Sequence, residues 1–163
     1  MFPEDIEKLA RQVIEAAGAR DLMAAVAESC TGGLVAGALT AVAGSSAVIE
    51  RGFVTYSNAA KAQLLGVPAT LIQTDGAVSE AVARAMALGA IDQSAAQVAV
   101  AVTGVAGPGG GSPDKPVGLV HFAAIGPSGL VHVERRFGDV GREAVRLESV
   151  RQALRMLLDR IEA

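Results

Sequence analysis

Three polar clusters in this chain combine residue types that can do chemistry. The first is Glu28-Ser29-Cys30-Thr31-Gly32-Gly33, set between an apolar run at 22–27 and an apolar segment at helical spacing. That pattern reads as a strand, a tight turn and a helix start. A hydroxyl in such a turn sits at the carboxyl end of a strand, and the open amides of the helix start point at whatever it touches. Two glycines let a substrate or another backbone come close. Ser29 is therefore a candidate nucleophile. The plainer reading is that Ser29 or Thr31 simply caps the helix. Cys30 ranks below Ser29 as a nucleophile. With no histidine near it in sequence, only helix amides could lower its thiol pKa.

The second cluster is Thr55-Tyr56-Ser57-Asn58, with Lys61 three residues on. A short helix over 58–65, capped by Asn58, places Lys61 in its first turn. That is the wrong end of the helix dipole for a cation. A solvated surface lysine is one explanation. The other is that burial and the dipole lower its pKa until it can take the Ser29 proton as a general base. That role predicts Lys61 near Ser29 and away from Glu28, whose carboxylate would raise the lysine pKa. Glu28 is then expected to turn toward backbone amides. Tyr56, the only tyrosine, is either a core aromatic with its hydroxyl at the rim or a residue aiming that hydroxyl at substrate or at Lys61.

The third cluster is Thr103 and the loop 104–116, which holds five glycines and three prolines. It lacks the Gly-x(4)-Gly-Lys-Ser/Thr pattern of a P-loop. It is either structural or a source of backbone amides, those of Gly107, Gly109 and Gly110 among them, for an anion. Arg142 and Arg146 lie one helical turn apart. They either face solvent or bind a phosphate. No Gly-x-Ser-x-Gly elbow supports an α/β-hydrolase triad. His121 and His132 read as structural or surface residues, and no His/Cys/Asp grouping has metal-ligand spacing. No metal and no cofactor is expected.

The elements that must position these clusters follow from hydrophobic periodicity. Helices are expected over 3–17, 32–42, 58–65, 79–91 and 142–161. Strands are expected over 22–27, 48–56, 97–102, 117–125 and 130–137. The run Val98–Val102 is apolar without alternation, which suits a central strand covered on both sides. Helical crossovers make the first three strands parallel. The turn at Pro127-Ser128-Gly129 makes the last two antiparallel. The sum is a three-layer α/β/α sandwich on a mixed five-stranded sheet. The carboxyl ends of parallel strands share one edge, where α/β proteins bind ligands, so all three clusters can converge there.

Composition narrows the function classes. At 163 residues the chain is one domain by size. Its 51% hydrophobic but only 3% aromatic content means a core of Val, Ala, Leu and Ile. A net charge of -3 without a basic block argues against nucleic acid as a partner. The single Cys30 fits a reducing compartment. The first residues lack a signal-peptide layout, and no apolar run reaches the ~18 residues of a spanning helix. The expectation is a cytoplasmic protein with no membrane partner.

Glu28-Ser-Cys-Thr-Gly-Gly33, Tyr56-Ser-Asn-Ala-Ala-Lys61, Gly76-Ala-Val-Ser-Glu80, Thr103-Gly-Val-Ala-Gly-Pro-Gly-Gly-Gly111 and Lys115-Pro-Val-Gly118 together resemble the CinA carboxy-terminal domain family. Its stand-alone members deamidate nicotinamide mononucleotide. The resemblance spans nearly the whole chain. It implies an anticodon-binding-domain-like sandwich with strand order 2-1-3-4-5 and strand four antiparallel. It implies a metal-independent amidohydrolase that converts nicotinamide mononucleotide to nicotinic acid mononucleotide and ammonia. Ser29 would be the nucleophile and Lys61 its base. Tyr56, Thr31 and Thr103 match positions that line the site, and Arg142 and Arg146 match paired arginines opening the last helix. The family usually runs Gly-Asp-Arg there, where this chain has Gly138-Asp139-Val140-Gly141-Arg142, two residues longer. A homo-oligomer, such as a dimer, is also implied. The alternative is a nucleotide- or phosphate-binding module without chemistry.

Overall fold

The computed structural model describes all 163 residues. In chain order the elements are α1 (Glu4–Ala19), β1 (Ala24–Glu28), α2 (Leu34–Thr40), β2 (Ile49–Val54), α3 (Asn58–Leu65), α4 (Ala69–Asp75), α5 (Glu80–Asp92), β3 (Val98–Gly104), β4 (Leu119–Gly126), β5 (Gly129–Arg136) and α6 (Arg142–Glu162). The sheet order is β2-β1-β3-β4-β5. β1 is parallel to β2 and β3, while β4 runs antiparallel to β3 and β5. The expected α/β/α sandwich and its topology are what the chain adopts. No helix is long and apolar enough to cross a membrane.

β3 is the central strand and is buried on both faces. Its Val-Ala-Val-Ala-Val sequence alternates in size where it does not alternate in polarity. Val98, Val100 and Val102 pack toward α1, α2 and α6 in the larger core. Ala99 and Ala101 pack toward α5 in the smaller one. Successive side chains point to opposite faces, so this pattern gives the sheet one thick and one thin side.

Two elements were not foreseen. One is α4, seven residues that start after Pro68 without a polar side-chain cap. The other is a 3-10 turn at Ser45–Ala47. Both are too short for a periodicity signal. Two caps also differ from expectation. Ser57, not Asn58, caps α3 by accepting from the Ala60 amide. The position before α2 is Gly33, with φ at 100°, so neither Ser29 nor Thr31 caps that helix. Its first amides are met instead by Glu28, whose two carboxylate oxygens accept from Val35 and Ala36 at 2.9 and 3.0 Å. A carboxylate on a helix start is favoured by the dipole. Glu28 thus turns to backbone amides, as expected, and leaves the turn beyond it free for other work.

Candidate active site

β1 ends at Glu28, and the next residue, Ser29, is anchored by its amide to the Val102 carbonyl of β3. Glu28 points to the α2 side, so the strand alternation carried one residue further sends Ser29 to the opposite face, where α3 packs. Lys61 comes from α3 and is only 1% exposed. The solvated-lysine explanation therefore fails. Its Nζ lies 3.0 Å from Ser29 Oγ, 2.9 Å from the Thr55 carbonyl and 3.4 Å from the Tyr56 carbonyl. No carboxylate pairs with it. Burial pulls its pKa below the usual lysine value of 10.5, because desolvation disfavours the charged form.

This arrangement suits a neutral amine. A neutral lysine has two N–H donors and one lone pair. The two carbonyls take the donors, and the lone pair is left for the Ser29 hydroxyl. Protonated, the same nitrogen donates to the same three oxygens. Both states that a general base must visit are accommodated without movement of its partners.

Cys30, beside Ser29, is buried, and burial pushes its thiol up to about 12. It stays a thiol at neutral pH and cannot compete with Ser29 as a nucleophile.

A cavity of about 280 Å³ opens onto Ser29 and Lys61. Its walls include Tyr56 of the second cluster, Thr103, Gly107, Gly109 and Gly110 of the third, and Arg142 from the start of α6. Thr103 Oγ1 donates to the Ala77 carbonyl at 2.8 Å and so ties β3 to the loop before α5. The amides of Ala106, Gly107, Gly109 and Gly110 make no hydrogen bond within the chain. All four residues line the cavity, where unpaired backbone amides are donors an anion can use. Tyr56 is 59% exposed at the rim. Its hydroxyl accepts from Arg142 Nη2 at 2.9 Å, while Arg142 Nη1 donates to the Gly107 carbonyl at 2.8 Å. Arg142 thereby spans the mouth, and Tyr56 does not reach Lys61 with its hydroxyl.

Two of the residues expected to bind substrate sit elsewhere. Thr31 is fully buried off the cavity wall, and its hydroxyl has no hydrogen-bond partner. Arg146 donates through Nε to the Cys30 carbonyl and through Nη2 to the Thr31 carbonyl, both at 3.2 Å. Nε and Nη2 are thus engaged by main chain, and Arg146 is not on the wall of this cavity.

A model of the CinA C-terminal domain matches residues 6–161. The chain belongs to the CinA C-terminal domain family. It is 54% identical over 157 residues to a CinA-like protein of Synechococcus sp. (strain RCC307), covering 96% of this chain and 38% of that one. The chain thus spans less than two fifths of the length of such relatives. It is 48% identical over 149 residues to the nicotinamide-nucleotide amidohydrolase PncC of Enterobacter agglomerans, covering 91% of each. Among solved structures it resembles the competence/damage inducible protein CihA from Agrobacterium tumefaciens, with a TM-score of 0.97 and 55% identity over 100% of this chain and 99% of that one.

This CinA domain also holds a polar cluster that sequence reasoning passed over. His121 and His132 are not surface residues: their side chains are 10% and 12% exposed. The rings stack, with His121 Nδ1 2.9 Å from His132 Nε2. Glu134 lies 3.7 Å from the other nitrogen of His121, and Glu80, at the start of α5, lies 3.6 Å from that of His132. Burial lowers both imidazole pKa values, and for His121 the neighbouring His132 adds to the shift. No group of three or more His, Cys, Asp or Glu converges as a metal site.

Proposed function

We propose that the chain is a single-domain, metal-independent amidohydrolase that converts nicotinamide mononucleotide to nicotinic acid mononucleotide and ammonia. The observation that carries this reading is the buried Lys61 amine, 3.0 Å from Ser29 Oγ, with two carbonyls holding its protons and no carboxylate beside it. A module that only bound phosphate would have no use for a lysine kept from water next to a serine.

Ser29 Oγ attacks the carboxamide carbon as Lys61 takes its proton. The cationic pyridinium ring makes that carbon more electrophilic. The developing oxyanion is met by the amides of Cys30 and Thr31, which make no backbone hydrogen bond. Lys61 returns the proton to the departing ammonia, leaving an ester on Ser29. Water attacks the ester with Lys61 again as base, the acid leaves, and the proton goes back to Ser29. The phosphate is held by Arg142 and the amides of the loop that includes Gly107, Gly109 and Gly110. On binding, Arg142 exchanges the Tyr56 hydroxyl for the stronger acceptor.

Ammonia release from nicotinamide mononucleotide tests the reading, with nicotinamide riboside as the control that lacks the phosphate. The wild type should prefer the mononucleotide strongly, and Arg142→Ala should lose most of that preference through KM. Binding of the mononucleotide without ammonia release would instead favour the inactive binding module.

A further inference from the structure

Arg146 reaches from α6 to the turn that carries the nucleophile, 115 and 116 residues away in sequence. Its contacts are two consecutive carbonyls of that turn and nothing in the cavity. Gly32 lies directly under it. A Cβ there would sit 3.4 Å from Arg146 Nη2, and Gly32 has φ at 58°. Any side chain at Gly32 would therefore crowd the guanidinium as well as strain the turn.

A carbonyl and the N–H of the same trans peptide point to opposite sides of the chain. The only cis bond in the protein is Gly107–Pro108, so every peptide in this turn obeys that rule. In the Ser29–Cys30 peptide, the Ser29 carbonyl accepts from Gly32, which sends the Cys30 N–H outward from the turn. In the Cys30–Thr31 peptide, Arg146 holds the carbonyl, which sends the Thr31 N–H away from α6. In the Thr31–Gly32 peptide, Arg146 and the Leu34 amide share the carbonyl. The turn's own hydrogen bonds orient the first amide, but only Arg146 orients the second.

We infer that Arg146 is a positioning residue for the oxyanion site: anchored on the Thr31 carbonyl, it holds the Cys30 carbonyl so that the Thr31 amide joins that of Cys30 in facing the oxygen of a tetrahedral intermediate on Ser29. This rests on the amidohydrolase reading above. It divides the labour of the two arginines. Arg142 faces the substrate, and Arg146 faces the backbone that catalyses. A planar fork suits two adjacent carbonyls, whereas a lysine ammonium offers a single point charge.

The test is steady-state kinetics of wild type, Arg146→Ala and Arg146→Lys with nicotinamide mononucleotide. It is paired with inhibition by pyridine-3-boronic acid, whose tetrahedral adduct with a serine carries the oxyanion but no phosphate. Loss of one aligned donor should lower kcat ~100-fold in both variants, with KM within ~3-fold. Boronate affinity should fall in proportion to kcat. Free guanidinium ion should restore part of the activity of Arg146→Ala. The preference for mononucleotide over riboside should stay at the wild-type value. Raised KM with unchanged kcat and unchanged boronate affinity would overturn the inference, as would lost activity that guanidinium cannot restore in a variant that melts like wild type. If Arg146→Ala fails to fold, Arg146→Lys and its boronate affinity decide the matter alone. Failure of the wild type to release ammonia or bind the boronate would remove the amidohydrolase reading itself, and with it this role.

Discussion

The two faces of the sheet are made from the same strands and serve different ends. Toward α1, α2 and α6 the strands present Val26, Val98, Val100, Val102, Val120 and Phe122. Toward α3, α4 and α5 they present Ala25, Ala27, Ala99, Ala101 and Ala123. Burying a large aliphatic or aromatic side chain contributes ~1.5–3 kcal/mol, and alanine contributes much less. The thick face therefore carries most of the stability. On the thin face, α5 packs directly on β3, and at the ligand edge the alanine positions give way to Ser29, Thr103 and His121. Register places Thr103 opposite His121, and His121 opposite Glu134. The chemistry proposed for Ser29 and Lys61 belongs to the side where little packing has to be given up to make room for polar groups.

That division can be broken most sharply at the dyad. Ser29→Ala and Lys61→Met should each lower turnover ~10⁴-fold or more, with unfolding free energy within about 1 kcal/mol of wild type. Lys61→Arg should be equally inactive, since a guanidinium does not give up its proton. In the wild type, kcat/KM should rise with pH as the Lys61 amine loses its proton and level off below pH 10.5, the value from which burial lowers it. A limb still climbing at pH 10.5 would make Lys61 an ordinary lysine and unseat it as the base.

Next in size come changes to the two cores. Phe122 and Ala101 are both fully buried, one in each cluster. Phe122→Ala should cost about 3–5 kcal/mol by leaving a cavity. The protein that remains folded should keep its kcat, because the loss falls on the face away from Lys61. Ala101→Val should cost only about 1–3 kcal/mol by overpacking. It should nonetheless lower kcat/KM, because it pushes on α5 and on the loop before it, where Ala77 and Val78 line the cavity. Chemical denaturation with a parallel activity assay checks both. The division of the faces fails if the alanine substitution unfolds more protein than the phenylalanine one, or if it leaves kinetics untouched.

How much of this was legible beforehand depends on the range of the interaction. The strands and the longer helices follow from local periodicity; turn chemistry made Ser29 and Lys61 candidates beside plainer readings, the family resemblance paired them, and the structure brings them together across 32 positions. The Val/Ala alternation of β3 was in plain view but invisible to a polarity pattern, because both residue types are apolar. Arg146 was read as lying one helical turn from Arg142, and helical spacing says nothing about what lies opposite. Its target, two carbonyls, has no side-chain signature at all. The Gly33 start of α2 was missed because the Glu28 carboxylate does the capping from the preceding strand, outside the usual cap position. The histidine pair could have been found. A two-residue turn between Gly126 and Gly129 pairs 121 with 134 and 123 with 132, which sets His121 and His132 diagonally on one face.

That pair supplies the smallest expected effect, and the one nearest the boundary between stability and function. Within the group of Glu134, His121, His132 and Glu80 only the 2.9 Å gap between the two rings is a hydrogen bond; the carboxylates, at 3.7 and 3.6 Å, act on the imidazoles by charge. Burial holds both pKa values below the ordinary 6.5, against the pull of Glu134 and Glu80 and with Lys115 beside His121 and Arg84 beside His132 opposing protonation. As pH falls, the unfolded chain takes up protons first. The pair's contribution to stability is therefore full above about pH 6.5 and is lost as pH descends through the folded values. The slope cannot exceed ~1.4 kcal/mol per pH unit for each proton taken up. His132→Gln keeps an amide that can face His121 while removing one titrating group, so its unfolding free energy should depend less steeply on pH as pH falls below about 6.5. Because Glu80 opens α5 just after the loop lining the cavity, the substitution should also move KM more than kcat. Parallel stability–pH curves for wild type and variant would refute the assignment, and a kcat change at constant KM would sever the pair from the site.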